Sequence, residues 1–183
     1  MPCLSKEVVF NEYVIMDNSD LIIANKYGVD RTTVCKLRHD YNISTKPSSG
    51  RIGELLVIDV LKELGGNIID MNKADKTSPF DILFNNKKLE VKTARISDGN
   101  AFRFQLANKP ECKIINTSKT KTGRTLKKYR ETCDAFVFVC VDDVVTYYIV
   151  PTVDIHIDQQ SVCVVIGGKY ELYKNRWDFI TRH

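Results

Sequence analysis

Long apolar runs are missing from this 183-residue chain. No stretch approaches the roughly 18 apolar residues of a membrane span. The opening MPCLSKEVVF also lacks the apolar centre of a secretion signal. The expectation is a cytoplasmic protein with no membrane partner. Histidine is scarce, with three residues at His39, His156 and His183. They are scattered, which removes His-based catalysis. The cysteines form no C-x-x-C and have no histidine at zinc-ligand spacing, which excludes a zinc module. Cys140 and Cys163 lie in apolar, strand-like runs and are expected to be reduced core thiols. The lone Trp177 is expected to pack the C-terminal end. Repeats and low-complexity tracts are absent, so solenoid and fibrous architectures are excluded. A net charge of +4 is compatible with a polyanionic partner but does not require one.

What is present is an ordinary globular mix, 43% hydrophobic and 27% charged, with one seam. NISTKPSSG, residues 42–50, is rich in Ser, Thr, Pro and Gly between two periodic segments, as in a linker. The expected division is a helical module over 1–44, a linker over 45–50 and a larger domain over 51–183. In the first part, SKEVVFNEYVIM predicts a weak helix. SDLIIANKYG predicts a second helix, capped by Ser19 and stopped by Gly28. VDRTTVCKLRHDY predicts a third, with Asp30 as its cap. The last two, joined at a glycine turn over Leu21–Ile43, resemble a helix-turn-helix. Ala24 allows close approach, and Val34 and Leu37 face inward. The free face of the third helix then carries Arg31, Thr32, Thr33, Lys36 and His39. Such residues, near a recognition helix's N-terminus, reach base edges and phosphates of duplex DNA.

The second part opens with RIGELLVIDVLKELGG, a buried helix stopped by Gly65-Gly66. NIID is a short strand. PFDILFNNKKLEVK reads as a tight hairpin, because Asn85-Asn86 tolerates the positive φ of a type I′ turn. That turn pairs Phe84 with Lys87, Ile82 with Leu89 and Asp81 with Glu90. Moving the turn by one residue pairs Asp81 with Lys92 instead. In both registers Asp81, Glu90 and Lys92 share one face. Two carboxylates roughly 5 Å apart at Cβ repel each other. A chain that keeps them so is suited to a hard divalent cation with oxygen ligands. Without metal, the expectation is an uncompensated repulsive pair. Glu54 sits on an apolar helical stripe with Ile58 and Leu61, which is costly without a partner or a role. If that helix covers the sheet, Glu54 points to the same face. AFRFQLAN alternates with period two. CDAFVFVCVDD and VVTYYIVP predict a buried hairpin around Asp142-Asp143. The order of elements predicts an α/β fold with a mixed sheet.

GELLVIDVLKELGG, PFDI and LEVK together resemble the PD-(D/E)xK nuclease superfamily, over about residues 52–151. The family includes restriction enzymes, Holliday-junction resolvases and homing endonucleases. Phe80 separates Pro79 from Asp81, so the first pair of the family's spelling is displaced by one. The resemblance implies a restriction-endonuclease-like mixed β-sheet core flanked by helices. It implies a Mg²⁺-dependent DNA endonuclease, with Mn²⁺ able to substitute, in host-cell cytoplasm if phage-encoded. Asp81 and Glu90 become metal ligands and Val91 offers its carbonyl. Lys92 acts on the attacking water, and Glu54 is an outer or second-metal ligand. Gln105 matches a polar position on the next strand.

Between Lys113 and Arg130 the chain has seven Lys or Arg and no acid. Within this stretch Lys119, Lys121, Arg124, Lys127 and Lys128 are expected to meet phosphates. Cutting both strands of a duplex suggests a homodimer with two sites. The leading expectation is a sequence-specific enzyme of homing or restriction type. The alternatives are a Holliday-junction resolvase-like nuclease and a DNA-binding regulator with an inactive nuclease fold.

Overall fold

The computed structural model describes residues 4–43, 46–97, 100–108, 117–120 and 123–181. Of the expected features, Lys121, Cys3, Cys112, His183 and linker residues 44–45 lie outside the described residues. The chain divides into two compact units, Met1–Ile52 and Gly53–His183.

The first unit is helical. Helix α1 (Lys6–Phe10) is capped by the Ser5 hydroxyl, which accepts from the Val8 N–H, and runs on into a π-helical turn over Asn11–Ile15. Helix α2 (Asp20–Tyr27) has Ser19 as its cap, accepting from the Ile22 N–H, and stops at Gly28 with φ +64°. That left-handed conformation is glycine's to adopt without a Cβ penalty. Helix α3 (Arg31–Asp40) follows two residues later. Val9, Ile23 and Val34 are fully buried and form its apolar centre.

So small a core is reinforced by polar stitching. The buried Glu12 accepts from Asn18, Lys26 and Tyr27 at 2.6–2.9 Å. Burial alone would raise its carboxyl, but these donors outweigh it and hold it below the usual range. Arg38 clasps Asp20 through two bonds of 2.7 and 2.8 Å and stacks on the Tyr13 ring at 3.9 Å. The planar guanidinium fork suits both contacts.

Helix α4 (Ser49–Leu64), most of which belongs to the second unit, leads into β1 (Ile68–Asp70), α5 (Met71–Ala74) and the hairpin β2 (Ile82–Phe84) and β3 (Lys87–Ser97). Asn85 and Asn86 have φ of +46° and +68°, and Phe84 pairs with Lys87. The two-residue turn, and not the shifted one, sets the register. Strand β3 is the hub. It pairs with β2 at its start, with β4 (Ala101–Gln105) at its end, and in parallel with β8 (Ala135–Val141) between Leu89 and Arg95. The parallel pair is pinned where Asp134 accepts from the Lys88 N–H at 2.7 Å and donates its own N–H to the Lys88 carbonyl. Strand β9 (Val145–Pro151) covers the far side of β8, and β10 (Ser161–Val165) lies on β4. All seven residues of β8 are buried, as its unbroken apolar run predicts.

A separate three-stranded sheet holds β5 (Ala107–Asn108), β6 (Thr117–Lys119) and the central β7 (Thr125–Lys127). Short helices α6 (Tyr129–Thr132) and α7 (Asp178–Thr181), with 3₁₀ turns at Thr152–Asp154 and Glu171–Tyr173, complete the described elements. Trp177 packs on Tyr147 with ring centres 5.3 Å apart. Cys140 is buried as expected, but Cys163 is exposed. Strand β10 ends the sheet path and buries only Val162 and Val164, so an apolar sequence run is not buried on both faces there. No helix among the described residues is long and apolar enough to cross a membrane.

Gly53 marks where α4 comes close to β3. A Cβ there would meet Thr93 Oγ1 at 1.8 Å and Thr93 Cβ at 3.0 Å. Thr93 Oγ1 is itself buried without a hydrogen-bond partner among the described residues. Gly53→Ala should therefore destabilise the protein by about 1–3 kcal/mol through overpacking. In a Thr93→Ala background most of that loss should vanish. Denaturant melts of the two single variants and the double variant measure the coupling, and strictly additive losses would rule out this contact as the cause.

Candidate active site and nucleic-acid interface

The site is built around the start of β3. Asp81, one residue before β2, is fixed by its backbone: its N–H donates to the Leu89 carbonyl at 2.9 Å and its carbonyl accepts from the Met71 N–H at 3.1 Å. Its carboxylate then accepts the Val91 N–H at 2.7 Å. Glu90 and Lys92 lie two apart on β3 and point to one face, the face of Phe136 and Phe138 opposite them on β8. That face carries an aromatic floor. Phe136 stacks on Phe138 at 5.2 Å, and Phe104 and Tyr129 extend the row at 4.7 Å each. Charges placed against it are poorly hydrated, which strengthens every charge–charge contact.

Glu90 is 4% exposed. Lys92 Nζ donates to its Oε1 at 2.6 Å, and Lys127 Nζ donates to its Oε2. The expectation of a bare repulsive pair is thus corrected: Glu90 is compensated by two ammonium groups. Asp81 is the carboxylate left under electrostatic stress. Burial and the charge of Glu90 push its pKa up to about 7, against the help of the Val91 N–H, and Glu54 adds to the push. For Lys92, burial alone would lower the pKa, but Glu90 reverses this and the net shift is upward, so it stays an ammonium.

Glu54 sits buried at the start of α4 and accepts from Asn72 Nδ2 on α5 at 3.2 Å. Its charge reaches Asp81. Helix α4 approaches β3 on the face of Thr93, opposite that of Glu90 and Lys92, so the expectation of a face shared with Glu54 is corrected, and Glu54 joins the cluster through its charge on Asp81. Val91 contributes its N–H to Asp81 here. Gln105 is exposed at the end of β4, opposite Ser161, and makes none of the bonds that tie Glu90, Lys92 and Lys127.

Lys127 corrects a further expectation. The sequence groups it with the phosphate-facing basic residues, yet it is 8% exposed and donates to Glu90. A charge run does not announce which of its members a strand will bury. All three residues of β7 are buried, so period-two alternation gives no signal for it. Asn72 and Tyr129 were also not singled out. Of the other basic residues, Lys119 and Lys128 are exposed and Arg124 is half-buried. In the helical unit, Arg31, Thr32, Thr33, Lys36 and His39 are all exposed along α3.

Among the described residues no three His, Cys, Asp or Glu side chains form a ready-made metal cage. The donor set nevertheless fits a hard cation in an open site. Its oxygens come from carboxylates, and Asp81 is a half-buried carboxyl whose charge nothing yet balances fully.

Asp81 makes stability depend on pH. Its unfolded carboxyl loses the proton near 3.8, whereas the folded one keeps it to about 7. Across that window the folded state holds more protons, so metal-free stability falls as pH rises from about 4 to about 7 and then levels off. Asp81→Asn removes this term. In EDTA its melting temperature should exceed that of wild type by a margin that opens across the window. A parallel pH profile in the two proteins would assign the dependence to another group.

No family model matches the chain, and no curated protein matches it. Among solved structures, it is similar to the bacterial homing endonuclease I-Ssp6803I, with a TM-score of 0.55 at 14% identity, over 72% of this chain and 90% of that one. At that identity the likeness is one of fold: a mixed α/β domain of the kind that enzyme has.

Proposed function

We propose that this chain is a divalent-metal-dependent DNA endonuclease of the PD-(D/E)xK type, sequence-specific and acting on duplex DNA. The observation that carries the proposal is the convergence of Asp81, Glu90 and Lys92 on one hairpin, with Glu54 within charge reach. The similarity of fold to a homing endonuclease supports it. In this reading Asp81 and Glu90 hold Mg²⁺ or Mn²⁺, with the Val91 carbonyl and Glu54 as further ligands. The bound ion supplies positive charge to the scissile phosphate and to the attacking water. Lys92 is too firmly protonated to act as a base. It positions the water or the phosphate through its ammonium and stabilises developing negative charge. Asp81 must lose its proton to serve as a ligand, so metal and proton compete there, and at sub-saturating metal cleavage rises with pH toward about 7.

The helix pair α2–α3 is proposed as a helix-turn-helix that reads sequence through Arg31, Thr32, Thr33, Lys36 and His39. Lys119, Arg124 and Lys128 are proposed phosphate contacts. Lys121 is proposed to join them. Two copies of the chain, each with one site, would cut both strands.

Supercoiled plasmid incubated with Mg²⁺ should be nicked or linearised, and EDTA should abolish this. Lys92→Ala should reduce cleavage at least about 100-fold while DNA affinity stays within a few fold, because it removes one charge among many for binding but a specific one for chemistry. Equal losses of binding and cleavage would defeat that assignment.

Arg31→Ala and Lys36→Ala should act in the opposite sense. Selection from a randomised duplex library, with the cut ends sequenced, should show relaxed preference at about one or two base positions per substitution. Nicking of non-specific plasmid should persist. Unchanged site preference in both variants would remove α3 as the reading element.

A further inference from the structure

We infer that Lys127 makes Glu90 a one-oxygen ligand and thereby sets which divalent cation the site accepts. The inference rests on the metal-site reading above. Its observations are separate. Both oxygens of Glu90 are occupied by ammonium groups, Lys92 on Oε1 and Lys127 on Oε2. Each oxygen keeps a second lone pair, but an ammonium charge at hydrogen-bond distance repels an arriving cation, so a cation that binds Glu90 favours displacement of the more mobile of the two.

The two lysines are not equivalent. The Lys92 side chain is 29% exposed, and that of Lys127 only 9%. Displaced from Glu90, Lys92 can turn to water or to a phosphate. Displaced Lys127 would be left as a buried unpaired charge, which is a far larger penalty. Lys127 is also held from both sides. Leu126 and Tyr129 are buried, the Tyr129 hydroxyl donates to the Leu106 carbonyl at 2.9 Å, and Lys127 Nζ lies 5.2 Å from the centre of the Tyr129 ring. The strand that carries it is the central one of its sheet, paired to β5 and β6. Oε2 therefore keeps its partner, and Oε1 is the oxygen that exchanges.

The consequence lies in coordination chemistry. Mg²⁺ takes six ligands in a strict octahedron and accepts single carboxylate oxygens beside several waters. Ca²⁺ takes six to eight and readily uses both oxygens of one carboxylate. A Glu90 fixed at Oε2 from behind offers the first ion what it needs and denies the second its two-oxygen grip. Lys127 is in this sense a positioning residue. It does not touch the reacting atoms, and it arrives from a part of the chain 37 residues beyond Glu90.

The test uses the full chain without DNA. Melting temperatures of wild type, Lys127→Met and Lys127→Arg are titrated with Mn²⁺, Mg²⁺ and Ca²⁺, and apparent affinities are taken from the shifts. Loss of a nearby positive charge strengthens binding of every divalent cation, so the decisive quantity is the ratio between ions. In Lys127→Met the ratio should move toward Ca²⁺ by at least about fivefold, because Oε2 is freed. Lys127→Arg keeps a positive charge with donors facing Glu90, so Oε2 is not freed and the ratio should not move toward Ca²⁺ by more than about twofold. An unchanged ratio in Lys127→Met, with both ions bound more tightly, overturns the inference and leaves only a charge effect. Should Lys127→Met not fold, NMR of the wild-type lysine side chains decides the matter. On adding Mg²⁺ the Lys92 signals should shift while those of Lys127 stay in place, and the reverse pattern overturns the inference. Wild type with no shift from any cation overturns the metal site itself, and this inference with it. A normal wild-type response with an unchanged ratio overturns this inference alone.

Discussion

The burial of Glu90 against an aromatic floor is the constraint to which the rest of the site answers. A carboxylate at 4% exposure is tolerable only with strong donors on it, and the fold supplies two lysines from different sheets. Lys92 comes with the strand itself, two residues on. Lys127 is delivered by β7, the central strand of the small three-stranded sheet. Once Glu90 is compensated, Asp81 becomes the carboxyl that resists ionisation. The electrostatic demand of the site is thereby moved from the better-shielded acid to the one at the strand entrance, where a ligand can reach it.

The same division of labour runs through the second unit. The face of β3 that carries Glu90 and Lys92 continues into Ala94, and opposite it run Phe136, Phe138 and Cys140. These belong to the main apolar cluster, so the charged site is one end of the hydrophobic core and not a separate surface feature. The opposite face of β3 meets α4 at Gly53 and Thr93. Helix α4 brings Glu54 by the same approach. Close packing on one side and charge pairing on the other both fix the path of a single strand.

Much of this was legible in the sequence, because local chemistry dictated it. Asn85-Asn86 specifies a two-residue turn, and from it follow the register of the hairpin and the shared face of Glu90 and Lys92. Ser19 and Gly28 bound α2 for equally local reasons. What sequence could not supply were consequences of long-range placement. Nothing in TLKKYR distinguishes Lys127, which is buried, from Lys128, which is exposed. The repulsion expected between Asp81 and Glu90 was real in sign, since Glu90 does raise the Asp81 pKa. Its outcome was changed by a residue far along the chain. The burial of Cys163 was misjudged because the apolar run of β10 carries no mark that its strand lies at the end of a sheet.

The parallel pairing of β3 with β8 has a consequence for the order of folding. The hairpin β2–β3 closes over two residues and can form early, whereas β8 must cross 46 residues to reach its place beside Lys88. Long-range parallel pairing pays its loop-closure entropy before it gains contacts, and it is intrinsically slow. This topology predicts that Asp81 and Glu90 meet before the aromatic floor is laid beneath them and before Lys127 arrives. The nascent chain carries its two acids side by side in water, where their repulsion is weak. The conditions that make them a demanding pair appear only with the last strands to dock, which also bring the compensation.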